Sequence, residues 1–103
     1  MESTRLRLIL SKEEISRLII LESASGLIGI IADVHGMSCY RARRFILNII
    51  NTVHCSFQLV VIHGYNHGTA IRDMLAEDFK NSHIREHHQD IYNQGITHML
   101  IAA

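Results

Sequence analysis

The apolar positions of this chain change period along its length, and each change predicts a different element. Over residues 4–10, TRLRLIL sets Leu6, Leu8 and Leu10 in alternation with Arg5 and Arg7, the period-two pattern of a half-buried strand. Ser11 and Glu14 in SKEE then form a capping-box pattern, which predicts a helix carrying Ile15, Leu18 and Ile19 on one face. The Ser-Ala-Ser-Gly stretch at residues 23–26 ends that helix. Residues 28–34 are almost wholly apolar, as expected of a strand covered on both faces, and Asp33-Val34-His35-Gly36 closes it. Ser38 stands where an N-cap would. After it Ala42, Phe45, Ile46, Ile49, Ile50 and Val53 recur at helical spacing, which turns Arg41, Arg44 and Asn48 away from the core. Residues 57–62 form a second apolar strand ending at His63, and Ile71, Met74, Leu75 and Phe79 mark a second amphipathic helix. The last strand spans residues 96–103, with a short one around residues 83–85.

Strands separated by helices of this length pair in parallel through right-handed crossovers. The expected fold is therefore a two-layer α/β sandwich with a mixed sheet, β-α-β-α-β-β, over residues 27–103. Residues 1–26 read as an N-terminal strand and helix added to it. No repeat, low-complexity tract, linker or proline interrupts the chain.

Composition narrows this little. A chain of 103 residues with 48% hydrophobic and 19% charged side chains is one ordinary domain. No run approaches the ~18 apolar residues of a membrane-spanning helix. The opening MESTRLR lacks the apolar core of a secretory leader, so a cytoplasmic protein is expected. Cys39 and Cys55, with a helix between them, stand about 24 Å apart at 1.5 Å per residue. That is too far for a disulfide, so both read as small half-buried side chains.

Charge changes the picture more. Ten basic and ten acidic residues cancel, which argues against a nucleic-acid partner. Yet residues 34–72 hold four arginines (Arg41, Arg43, Arg44, Arg72) and no acid, whereas residues 73–90 hold five acids against Lys80 and Arg85. One face can thus be positive although the total vanishes. Chance clustering in a short chain produces the same segregation.

The candidate chemistry lies where the strands end. If the strands ending near Val34 and Ile62 are parallel, both open on the edge where α/β folds bind ligands, and His35 and His63 meet there as acid–base groups. Asp33 and His35, two apart on a strand end, share a face. The carboxylate can orient the imidazole, or join it on a divalent metal. Equally, Asp33 can cap a turn beside an ordinary loop histidine. Downstream, Gly64, Asn66, His67, Gly68 and Thr69 lead into a helix whose free N–H groups suit an anion. Arg72 in its first turn opposes the helix dipole by about 0.3–1 kcal/mol, a cost that a bound phosphate would offset and that pairing with Asp73 or Glu77 would offset as well.

Taken in order, Asp33-Val34-His35-Gly36, then His63-Gly64 before a further glycine and an arginine-bearing helix, then Asn93-Gln94-Gly95-Ile96-Thr97, resemble the motifs of the Smr (small MutS-related) domain family across residues 27–103. Ala32 replaces the family's usual leucine, and Asn66 replaces the last glycine of its second motif, with Gly68 two places later. The resemblance implies a fold like the C-terminal domain of translation initiation factor three. It also implies endonuclease activity, either DNA nicking or RNA cleavage, including cleavage of mRNA on stalled ribosomes. On that resemblance Asp33, His35 and His63 are catalytic, while Gly36, Gly64, Asn66, His67, Gly68, Thr69, Arg72 and Arg44 bind substrate phosphates.

Hydrolysis of DNA usually relies on divalent metal held by several carboxylates, and only Asp33 falls in the expected site. RNA carries its own 2′-hydroxyl nucleophile, so His35 with His63 or His67 would suffice as base and acid, with no cofactor required. RNA is therefore favoured over DNA. A non-catalytic nucleic-acid binding module of the same fold is the rival; a small-molecule phosphate binder lacks the acidic residue that would hold a ribose. Tyr40 and Tyr65 flank the site and can stack on bases or pack on the surface. In HIREHHQD, His83 and His87 have a zinc-ligand spacing on a helix, although a solvated loop is the plainer reading. His98 reads as a hydrogen-bonded structural histidine. The alternating stretch at residues 4–10 offers an edge strand through which two chains could pair, or which folds back on its own sheet.

Overall fold

A computed structural model describes residues 2–64 and 68–103. It is a two-layer α/β sandwich built on a mixed sheet of order β1-β2-β3-β5-β4, with β1 Leu18–Ser23, β2 Gly26–Asp33, β3 Phe57–Ile62, β4 Ile84–Gln89 and β5 Ile96–Ile101. The helices are α1 Glu2–Ile9, α2 Lys12–Ser16, α3 Cys39–Thr52 and α4 Ala70–Glu77. Strands β2 and β3 are parallel, as expected across α3, and every other neighbouring pair is antiparallel.

Alternation along the strands sends Ile30, Ala32, Leu59, Val61, Met99 and Ile101 to one face, where Leu6, Phe45, Ile46, Ile49, Ile71 and Leu75 cover them in a single core. Each such side chain contributes about 1.5–3 kcal/mol when fully buried. The opposite face carries Ile31, Val60 and His98 in one row across β2, β3 and β5. The apolar run of β2 is thus covered by helices on the core face alone, not on both faces as expected, and Ile19, which pairs with Ile31 on the other face, is 57% exposed. Helix α3 follows its sequence pattern: the Ser38 hydroxyl accepts the Arg41 N–H at 3.1 Å, and Ala42, Phe45, Ile46, Ile49 and Ile50 are buried.

The N-terminal segment departs from expectation twice. Residues 4–10 lie mostly in α1 and form no strand. Leu6 and Leu10, one helical turn apart, are 1% and 6% exposed in the core while Leu8 is 80% exposed, a split that period two cannot produce. The place beside β2 that a strand from this stretch would have filled is taken by β1, so pairing of two chains through residues 4–10 falls away. The capping box forms as read, with Ser11 and Glu14 bonded reciprocally, but its helix stops at Ser16. Leu18 and Ile19 belong instead to β1, where a β-branched run finds the open edge of β2. Residues 23–26 then turn a hairpin, with Gly26 at φ +123°. The segment placed outside the domain is therefore sheet and core of the same unit.

Most of HIREHHQD is neither helix nor loop but the whole of β4, at the sheet edge. In a strand the i, i+4 spacing no longer gathers His83 with His87, and among the described residues no three His, Cys, Asp or Glu side chains converge on a metal position. Cys39 and Cys55 form no disulfide and are half-buried. Among the described residues no helix is long and apolar enough to cross a membrane.

Candidate active site

Because β2 and β3 are parallel and β5 runs against β3, the chain leaves β2 and β3 and enters β5 at one edge of the sheet. A cleft of about 550 Å³ opens there, lined by the turn after β2, the turn after β3 and the start of α4.

The first turn presents a dyad. His35 Nδ1 lies 2.7 Å from Asp33 Oδ1, and the same oxygen accepts the His35 backbone N–H at 3.1 Å. A carboxylate only accepts, so Nδ1 carries a proton, and in the neutral ring Nε2 holds a lone pair that no hydrogen bond among the described residues takes up. With its side chain 65% exposed, His35 offers that lone pair to the cleft. Gly36, at φ +80°, lets the chain turn back beneath it.

His63 sits at the same edge in a different state. It is 6% exposed, and both ring nitrogens are bonded: Nδ1 to the Gly64 carbonyl at 2.9 Å and Nε2 to Thr97 Oγ1 at 2.8 Å. The carbonyl must receive Nδ1–H, so Thr97 donates its hydroxyl proton to Nε2. Burial holds the ring below its ordinary pKa of 6.5, and Arg72 adds to this, against the opposing pull of the Gly64 carbonyl and Asp73. His63 is a neutral, fully bonded ring that ties β3 to β5.

The glycines of the second and third motifs pack on each other. The Gly95 carbonyl accepts N–H bonds from both His63 and Gly64, and a side chain on Gly95 would come within 3.0 Å of Gly64 Cα. Gly64, at φ +72°, in turn leaves room for His35, whose Cβ would lie 3.7 Å from a methyl group placed there. The three sequence motifs are thus one contact.

The residues expected to hold phosphate are divided. Gly36, Gly64, Gly68 and Arg72 line the cleft, with Ala70 and Ile71 of the first turn of α4. Thr69 precedes that turn without capping it; its hydroxyl donates to Asp73 Oδ2 at 2.9 Å. The Arg72 guanidinium lies 3.3 Å from Asp73 Oδ1, so the acid next to it shares its charge. Arg44 stands apart on the outer face of α3, 5.6 Å over the Tyr40 ring. Asn66, His67 and Tyr65 lie outside the described residues.

Further residues shape the site around these. Thr97, 3% exposed, orients His63. Arg17 reaches from the N-terminal segment to the carbonyls of Asp33 and His35, a contact between residues 16 and 18 apart. His98 is hydrogen-bonded as expected, with Nε2 2.7 Å from Asp90 Oδ1, and its ring stacks on His88. Asp90 Oδ2 accepts from Tyr92 and Asn93, shaping the turn that delivers Gly95. No protein-family model, curated protein or solved structure gives a significant match to this chain.

Proposed function

We propose that this chain is a nucleic-acid endonuclease of the Smr type that cleaves RNA, with His35 as its base. The observation that carries the reading is the Asp33–His35 dyad at 2.7 Å, which lines a glycine-bearing cleft at the start of a helix and whose Nε2 has no hydrogen bond among the described residues. The carboxylate holds the ring in the tautomer a base needs and stabilises the imidazolium that forms. Nε2 takes the proton of a ribose 2′-hydroxyl, whose oxygen attacks the adjacent phosphorus. The first-turn N–H groups of α4 and Arg72 bear the charge that builds on the phosphoryl oxygens. The 5′-oxygen leaves with a proton from His67 or from water, giving a 2′,3′-cyclic phosphate and a 5′-hydroxyl. In this reading His63 positions Gly64 and transfers no proton. A divalent metal on Asp33 and His35 would serve the alternative, DNA nicking. An RNA substrate, on or off the ribosome, accords with a cytoplasmic place.

The second reading is a nucleic-acid binding module without turnover. It is favoured by the engagement of both His63 nitrogens and by the Arg72–Asp73 pair, which leave His35 alone as an available titrating group among the described cleft residues. The test is incubation with labelled single-stranded RNA, hairpin RNA and duplex DNA, each with Mg²⁺ or EDTA, beside His35→Ala. RNA cleavage that survives EDTA and disappears in His35→Ala is the expected result. Binding without cleavage would select the module, and nicking that requires Mg²⁺ would select DNA.

A further inference from the structure

Beyond Asp33 the chain has left the sheet, and a turn at a strand end is held by few bonds. One side is tied to β3, where Val34 N–H donates to the Ile62 carbonyl at 2.9 Å. The other side is held by Arg17, the residue that ends α2 and precedes β1. Its carbonyl accepts the Asp33 N–H at 2.9 Å, and its Nη1 donates to the carbonyls of Asp33 at 3.3 Å and His35 at 3.0 Å. The two carbonyls flank Val34, so one guanidinium fixes the spacing of the two residues whose side chains make the dyad. Arg17 is itself steadied by Glu13, whose Oε1 lies 3.8 Å from Nε and also meets Arg41 at 3.4 Å. Glu13 lies in the first turn of α2, the helix that the Ser11 capping box begins.

We propose that Arg17 is a positioning residue for the His35 base, so that the N-terminal segment is a working part of the site. It does not line the cleft and acts through Asp33 and His35 alone. One nitrogen, Nη1, meets both carbonyls, and the rigid plane of a permanently charged guanidinium fixes where it stands, whereas a lysine ammonium sits on a flexible stem. With the clamp lost, the turn relaxes, the carboxylate drifts from Nδ1, and the ring returns toward the Nε2–H tautomer that a free imidazole prefers.

The proposal rests on the reading of His35 as a base, and two measurements on the full chain keep the two apart. Long-range ¹H–¹⁵N spectra report the His35 tautomer without any activity. RNA cleavage reports kcat and KM. In Arg17→Met the expected result is a shift of His35 from Nδ1–H toward Nε2–H, with kcat lowered about tenfold to a hundredfold and KM unchanged, the loss that a small misplacement of a reacting group brings. Arg17→Lys recovers part of both. Glu13→Gln, which leaves both carbonyl bonds in place, changes neither. An unchanged tautomer and kcat in Arg17→Met, with only the melting temperature lowered, would make Arg17 a mere staple and overturn the proposal. If the wild type cleaves nothing, a tautomer shift still establishes the positioning role, and its absence still removes it. Should Arg17→Met fail to fold, Arg17→Gln, which removes the charge and shortens the reach, carries the same test: a wild-type tautomer and kcat would overturn the clamp.

Discussion

Two neighbouring parallel strands end in the same dipeptide, His35-Gly36 after β2 and His63-Gly64 after β3, and the two histidines have opposite fates. One is exposed at the cleft and held by a carboxylate, with no hydrogen bond to its other nitrogen among the described residues. The other is buried, neutral, and bonded at both nitrogens. The cause is register. Asp33 pairs with Ile62, so continuing one residue sets His63 opposite Val34, and His35 opposite Gly64. Successive side chains alternate faces, and an offset of one residue sends like residues to opposite sides of the sheet. Val34, at 0% exposure, and His63 point into the core; His35 points out. The same side chain thereby serves once as an exposed ring at the cleft and once as a buried tie that shapes the loop beside it.

That division can be broken first at its exposed member. His35→Ala should lower RNA cleavage by about 10²–10⁴, the usual worth of a positioned base, with the melting temperature almost unmoved. A variant that still cleaves at the wild-type rate would end the assignment.

The buried member should answer on the other axis. His63→Ala leaves the Thr97 hydroxyl without its partner and opens a cavity, so a loss of about 2–4 kcal/mol is expected in urea unfolding. Substrate affinity measured on the fraction that stays folded should change far less. If cleavage vanishes in a His63 variant of full stability, the ring takes part in chemistry after all.

Gly95→Ala sharpens the contact between the two halves. The new methyl would stand 3.0 Å from Gly64 Cα and 3.2 Å from Asn93 Oδ1, which costs about 1–3 kcal/mol as overpacking and pushes Gly64 toward His35. Stability and kcat should therefore fall together, in contrast to either histidine variant.

Protonation separates the pair without mutation. The unfolded chain binds a proton at His63 near 6.5, whereas the folded ring resists it, so stability is full above that value and falls as pH drops toward the lowered folded pKa. Denaturant midpoints should decline as pH falls through 6.5, and that slope should flatten in His63→Gln. Asp90, which the His98 hydrogen bond holds below its ordinary 3.8, has its stabilising effect above that value and loses it only in stronger acid.

The smallest effect belongs to Arg44→Ala. Stacked on exposed Tyr40, Arg44 should change stability by no more than about 0.5 kcal/mol. The salt slope of RNA binding should drop by about one if Arg44 meets a phosphate, and an unchanged slope would remove it from the contact surface.

Local signals were sufficient for much of this molecule. The caps at Ser11 and Ser38, the helical period of α3 and the apolar run of β3 depend on residues a few places apart, and each stands where the sequence puts it. The Asp33–His35 dyad is equally legible, since two residues apart on a strand end share a face. What the chain could not determine locally is what depends on a partner. Leu6 and Leu10 satisfy a strand and a helix alike, and the choice fell to α1 because β1 occupies the edge of β2. Leu18 and Ile19 continued a helical pattern until that edge offered a better ladder. His63 looks like His35 in every local respect, and only the alignment of β3 against β2 turned it inward. Arg17, lying 16 and 18 residues from the carbonyls it holds, is an ordinary surface residue until the hairpin folds it back. Period and capping are properties of a segment; register and reach belong to the assembled sheet.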